Sequence, residues 1–158
     1  MSERVPRLLV DGTAGRLARW LRILGLDVEY SPAGERSAVS RLARQSGRRV
    51  VTRNTGLAER LRGSAILLAS EDLEGQIRQV VEAVGTGACR AFSRCSECNA
   101  PLEEVSKESV RGRVPAYVFR TQDRFSICPV CGRYYWHGTH WQHMLDRVAR
   151  ALEGTGNE

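Results

Sequence analysis

The stretch Leu8-Leu9-Val10-Asp11-Gly12-Thr13-Ala14-Gly15-Arg16-Leu17-Ala18-Arg19-Trp20-Leu21-Arg22-Ile23-Leu24-Gly25 changes its hydrophobic period partway along. Its first three residues are a short apolar run, the mark of a buried strand, with Asp11 at the carboxyl tip. Gly12 and Thr13 turn the chain. From Ala14 to Leu24 the apolar residues Leu17, Trp20, Leu21 and Leu24 recur at helical spacing, and Gly25 is placed to stop the helix. The pattern then repeats. Val28-Glu29-Tyr30 predicts a second strand, followed by a helix capped by Ser37, running to Ser46 and facing inward through Val39, Leu42 and Ala43. Val50-Val51-Thr52 predicts a third strand before a short helix from Leu57 to Arg62. Ile66-Leu67-Leu68 predicts a fourth, before a helix from Leu73 to Val84 that packs through Ile77, Val80, Val81 and Val84. Four strand–helix units in succession predict an α/β fold, a parallel sheet flanked by helices.

In such a sheet, function gathers at the carboxyl ends of the strands. Asp11, Arg53-Asn54 and Glu71-Asp72 fall at or just beyond those ends. Strand tips that converge on one crevice suit Mg²⁺ or Mn²⁺, which prefer carboxylate oxygens and water. Each group also has an ordinary reading: Asp11 and Asn54 as turn residues, Glu71 and Asp72 as solvated or helix N-terminal charges. No phosphate-binding glycine loop or dinucleotide fingerprint is present, since Asp11-Gly12-Thr13-Ala14-Gly15 has neither spacing. Arg16, Arg19 and Arg22 punctuate the non-core side of the first helix, as a solvated stripe or as phosphate contacts. The formal net charge is +6. Arg36, Arg41, Arg44, Arg48, Arg49, Arg53, Arg60 and Arg62 face a single acid, Glu59, over the same span, so a nucleic-acid surface is expected on the N-terminal half.

The C-terminal half carries Cys95-Ser-Glu-Cys98 and Cys128-Pro-Val-Cys131. Two residues between cysteines let a tight turn aim both sulfurs at one ion, and two such turns complete a closed tetrahedral zinc site. Gly132 supplies a residue free to take positive φ after the last ligand. A redox dithiol or disulfide framework is the competing reading, but a redox pair comes singly on a helix N-terminus. The flanking aromatic runs Tyr117-Val118-Phe119 and Tyr134-Tyr135-Trp136 look strand-like. Such a zinc is structural and folds the chain. His137, His140 and His143 have a spacing that could suit a second metal, but with four cysteines already sufficient, packing or phosphate contact is the favoured reading.

Residues 1–88 are therefore expected to form the α/β domain. Residues 89–158 are expected to form a zinc-ribbon module with a C-terminal helix and a frayed tail. The Thr86 to Ala91 stretch is the expected linker. No signal peptide or membrane-spanning run is apparent, and reduced thiols with Cys89 unpaired point to the cytoplasm.

Leu9-Val10-Asp11-Gly12 with Gly15-Arg16-Leu17-Ala18-Arg19-Trp20-Leu21-Arg22-Ile23-Leu24-Gly25 resembles the Mut-seven C-terminal RNase family, a PIN-like domain carrying a zinc ribbon. Gly47-Arg48-Arg49-Val50-Val51-Thr52-Arg53, Phe92-Ser93-Arg94-Cys95 through Cys98-Asn99, and Val105-Ser106-Lys107-Glu108 are similar to it too. So is Cys128-Pro129-Val130-Cys131-Gly132 with Tyr135-Trp136-His137-Gly138-Thr139-His140-Trp141. The resemblance implies metal-dependent cleavage of RNA by clustered acids, with Asp11 as the first acid, and RNA, tRNA or ribosomal RNA among the candidates, as partner. It implies no membrane and names no protein partner. This chain departs from the pattern twice: Asn54 stands where the family has Asp, and Arg36-Ser37-Ala38 where it tends to have acids. Glu35 and Asp72 are the expected substitutes. Arg16, Arg19 and Arg53 would flank the scissile phosphate, and His140 lies in a matching stretch. With two carboxylates replaced, a catalytically degenerate RNA- or ribosome-binding protein is the alternative.

Overall fold

The structure is a computed structural model that describes residues 6–32 and 36–154. Strand β1 (Arg7–Asp11) lies between β2 (Asp27–Ser31) and β3 (Arg49–Thr52), with β4 (Ala65–Leu67) outermost, and all are parallel. Parallel strands covered on both faces need unbroken apolar runs, and β1 is buried from Leu8 through Asp11. Leu8 and Val10 face one core, shared with helices α1 (Gly15–Ile23) and α4 (Leu73–Val84) through Leu17, Leu21, Ile77 and Val80. Leu9 and Val50 face a second, against Val39 and Ala43 of α2 (Arg36–Ser46) and Leu57 of α3 (Thr55–Leu61). The four predicted strand–helix units thus form three layers.

Gly25 ends α1 with φ +92°. It also lies where the chain returns: Arg90 N–H donates to Leu24 O (2.8 Å), Phe92 N–H donates to Ile23 O (2.7 Å), and a Cβ on Gly25 would collide with Arg90. Two details of α2 differ from expectation. The helix begins at Arg36, which puts Ser37 inside it and not at its cap, and Leu42 is 37% exposed while Ser40 is buried in its stead.

The C-terminal sheet is antiparallel, in the order β5 (Glu103–Val105), β6 (Phe125–Ile127), β7 (Tyr134–Tyr135). Tyr117-Val118-Phe119 is not a strand but part of helix α5 (Ala116–Thr121). Pro115 at its N-cap, φ −56°, is pre-set for a helix start and has no N–H to leave orphaned. Val118 alone of the three is fully turned into the small core with Val110 and Phe125. The last helix, α6 (Thr139–Gly154), packs on α4: Val148 joins the first core, and Arg147 pairs with Glu74 at 2.8 Å. No helix among the described residues is long and apolar enough to cross a membrane.

The edge of β2 is covered by the C-terminal half. Val28 N–H donates to Asn99 Oδ1 (2.9 Å), and Arg22 Nε donates to Val28 O (2.8 Å) while its Nη1 reaches the carbonyls of Ser96 and Glu97. These bonds close an edge that would otherwise present unpaired backbone groups.

Candidate active site and metal centre

Asp11 ends β1 at the carboxyl edge of the sheet, 6% exposed. Its Oδ1 accepts from Thr13 N (3.0 Å) and from the Thr13 hydroxyl; its Oδ2 accepts from the Thr52 hydroxyl at the tip of β3. The two hydroxyls in turn accept backbone donors, Arg53 N to Thr13 Oγ1 (3.1 Å) and Asn54 N to Thr52 Oγ1 (3.0 Å). One carboxylate therefore clamps the turn after β1 to the turn after β3. Thr13 and Thr52 are partners of Asp11 that sequence reasoning passed over. The usable signal was Asp-x-Thr after a strand, since an aspartate there accepts from the residue two on and caps the turn.

Asn54 sits in the turn after β3 but its amide oxygen accepts from Leu57 N (3.1 Å), capping α3. Asp72 likewise caps α4: its oxygens accept from Ser70 Oγ (2.7 Å) and Gly75 N (2.9 Å), and the Ser70 bond leads in holding its carboxyl below the usual range. Arg36 reaches toward the same turn, for a Cβ on Gly56 would lie 2.7 Å from its Nη1 and 3.4 Å from Asn54 Oδ1. Glu35 and the side chain of His140 lie outside the described residues. Among the described residues, the acids and histidines form no metal-sized group of three with Asp11. His137 stacks on Phe92 at 4.1 Å between ring centroids.

The arginine-rich span does not make one patch. In a parallel sheet successive turns alternate between opposite edges. Arg36 and Arg53 follow strand ends at the carboxyl edge; Arg44, Arg49, Arg60 and Arg62 flank strand starts at the amino edge. Arg48 is buried and bonded to Asp27 and the Leu8 carbonyl. Arg16 and Arg53 are exposed, and neither has an ion pair among the described residues. Arg19 is exposed and paired with Glu97 at 3.0 Å.

The four predicted cysteines do converge, with sulfurs all within 4.8 Å of one another. The two turns are built alike. Cys98 N–H points at Cys95 Sγ (3.3 Å) and Cys131 N–H at Cys128 Sγ (3.5 Å), each followed by a positive-φ residue, Asn99 (+65°) and Gly132 (+77°). Cys95 and Cys131 sulfurs are 3.8 Å apart, matching the edge of about 3.8 Å expected for sulfurs about 2.3 Å from a tetrahedral zinc. Tyr135 Oη lies 2.9 Å from Cys95 Sγ, and Arg133 donates toward Cys131 Sγ. Four thiols this close oppose one another's ionisation. A bond from the Arg133 backbone leads in drawing Cys131 down to about 7, while the bond to Cys131 pushes Cys98 up to about 12. A dication is what permits all four to be thiolates. The donor set could hold a metal ion such as zinc. Cys89 is half-buried against the first core, apart from the group.

No curated protein and no solved structure matches the chain significantly. The family model of the Mut7-C RNAse domain matches residues 6–148, a span that takes in the parallel sheet, Asp11 and all four cysteines. The chain belongs to the Mut7-C RNAse domain family.

Proposed function

We propose that this chain is a metal-dependent endoribonuclease that hydrolyses RNA phosphodiesters at the carboxyl edge of its parallel sheet, with Asp11 as the acid that holds Mg²⁺ or Mn²⁺. The observation that carries this reading is a buried carboxylate without a cationic partner. Asp11 is 6% exposed and has no ion pair among the described residues; buried charges are otherwise paired or bind metal. Its donors are two hydroxyls and one backbone N–H, all neutral. A carboxylate offers about four lone-pair sites, so three donors leave capacity for a cation. Mg²⁺ commonly takes one or two carboxylates and completes its shell with water and substrate phosphate oxygens, which suits a lone Asp11. Such an ion lowers the pKa of a bound water and offsets phosphate charge.

The chain's own part is to position. Thr13 and Thr52 hold the carboxylate, and Arg16, Arg36 and Arg53 hold the phosphates on either side. The cysteine site takes zinc and, being closed, folds the C-terminal half without entering the chemistry. A four-cysteine zinc site needs reduced thiolates, which supports a reducing compartment such as the cytoplasm.

A second reading has its own support. Asn54 supplies no charge and spends its oxygen on a cap, and Arg36 brings a cation to the same turn. This favours a degenerate member that binds RNA without cutting it. Cleavage of labelled RNA with and without Mn²⁺ separates the two. On the first reading the protein cuts only with Mn²⁺, Asp11→Asn abolishes cutting, and Asn54→Asp raises it while keeping the cap, since Asp caps as well as Asn. On the second, the starting protein binds without cutting and Asp11→Asn binds as well or slightly tighter. Cutting that survives Asp11→Asn removes Asp11 from both readings.

A further inference from the structure

Between α1 and the C-terminal sheet runs a groove of about 960 Å³, lined mostly by residues of the C-terminal half. Val118 forms part of its floor, and its walls carry Tyr117, Arg19, Arg113 and Arg133. Tyr117 is 63% exposed, although the sequence around it is apolar enough to have joined the core. Arg113 is exposed and has no ion pair among the described residues, and Glu97, paired with Arg19, is the one acid among the groove's lining residues. An uncovered aromatic ring among three arginines makes a bed for a polyanion with flat, apolar bases.

We propose that this groove binds single-stranded RNA, one base stacking on Tyr117 and the backbone phosphates lying on Arg113, Arg133 and Arg19. The inference rests on the reading of the protein as RNA-acting, and adds the form of RNA that it takes. Single strands are held by aromatic faces plus a basic track, because every base offers a π-face. A duplex hides those faces within its own stack, so it cannot use Tyr117. The groove also leads somewhere. Arg19 and Arg16 are neighbours at i, i+3 on α1, and α1 starts four residues after Asp11. A strand lying in the groove therefore has a row of guanidiniums leading it toward the carboxyl edge of the sheet.

The test is fluorescence anisotropy on the zinc-loaded full chain, without added Mg²⁺ or Mn²⁺. The probes are a labelled RNA decamer, single-stranded or annealed to its complement. Tyr117→Ala should weaken single-strand binding about 5- to 150-fold, the range for loss of one stacked base, and leave duplex binding unchanged. Tyr117→Phe keeps the ring and should restore affinity. Arg113→Ala, at an exposed side chain, should reduce the salt slope by about 0.7. If the starting protein binds the single strand but neither Tyr117→Ala nor Arg113→Ala changes it, the groove assignment falls while the RNA reading stands. If the starting protein binds neither probe, both fall. Displacement of the single strand by polyglutamate as effectively as by unlabelled RNA, with Tyr117→Ala neutral, would show an acidic-peptide groove and overturn the assignment.

Discussion

Replacing Asp27 with alanine should destabilise the protein by about 2–3 kcal/mol and loosen the seat of the C-terminal half on the sheet. Asp27 Oδ1 accepts from Arg48 Nη1 at 2.8 Å and from Asn99 Nδ2 at 2.7 Å, so one oxygen joins the start of β2, the approach to β3 and the first cysteine turn. The Arg48 side chain is 6% exposed, and its guanidinium has little access to water if the carboxylate goes. Removing one partner of a buried pair costs about 3–5 kcal/mol. Arg48 keeps the carbonyls of Leu8 (3.1 Å) and residue 27 (3.3 Å) and Glu29 at 3.4 Å, which places the cost below that range. For a chain of this length the loss corresponds to a fall in Tm of about 4–12 °C. Thermal and urea denaturation should be followed at saturating zinc, because metal loss would break the two-state assumption.

The pH dependence of this contact has a definite sign. Burial raises the Asp27 pKa, but the bonds from Asn99 and Arg48 more than offset it, and the net pKa is lowered. The contribution is present above the unfolded value of about 3.9 and is lost as pH falls through the lower folded value. Asp27→Ala should therefore flatten the acid limb of stability below about pH 4. Asp27→Leu combined with Arg48→Met should cost less than the sum of its parts, because no orphaned charge remains. A single variant within about 0.5 kcal/mol of the starting protein, with an unchanged acid limb, would refute the reasoning.

Elemental analysis should find one zinc per chain, and Cys128→Ser should lose it together with the fold of the C-terminal half, since such sites supply on the order of 10 kcal/mol. Full zinc occupancy in that variant would rule out the four-cysteine assignment. RNA affinity should fall with salt, and Arg16→Ala with Arg53→Ala should reduce the log–log slope by about 1.4, at about 0.7 per phosphate. Arg44→Ala with Arg62→Ala, on the opposite edge of the sheet, should leave that slope unchanged; an equal reduction from both pairs would mean that charge acts without regard to the carboxyl edge.

The sequence by itself determined the features that depend on a few neighbouring residues. The parallel α/β sheet follows from apolar runs such as Leu8-Leu9-Val10 alternating with helical periods, and Gly25 and Gly47 stop their helices at positive φ. The cysteine site was legible because each turn is local and four sulfurs admit one closed geometry. Tertiary structure decided whatever depends on residues brought together from afar. Thr52 meets Asp11 across 41 positions and Asn99 meets Asp27 across 72, through strand register and the packing of the C-terminal half. Register also sends Arg53 and Arg60 to opposite edges of the sheet and buries Arg48, so a run of arginines that looks continuous along the chain is divided in space. Tyr117-Val118-Phe119 has strand propensity, but Pro115 and the demand of the small core for Val118 alone make it a helix and leave Tyr117 outside. Asn54 and Asp72 could each have been ligand or cap. Each serves as a cap in the fold because it carries its oxygen to within hydrogen-bond reach of an N–H three residues on, a short-range bond that needs no partner from elsewhere in the fold.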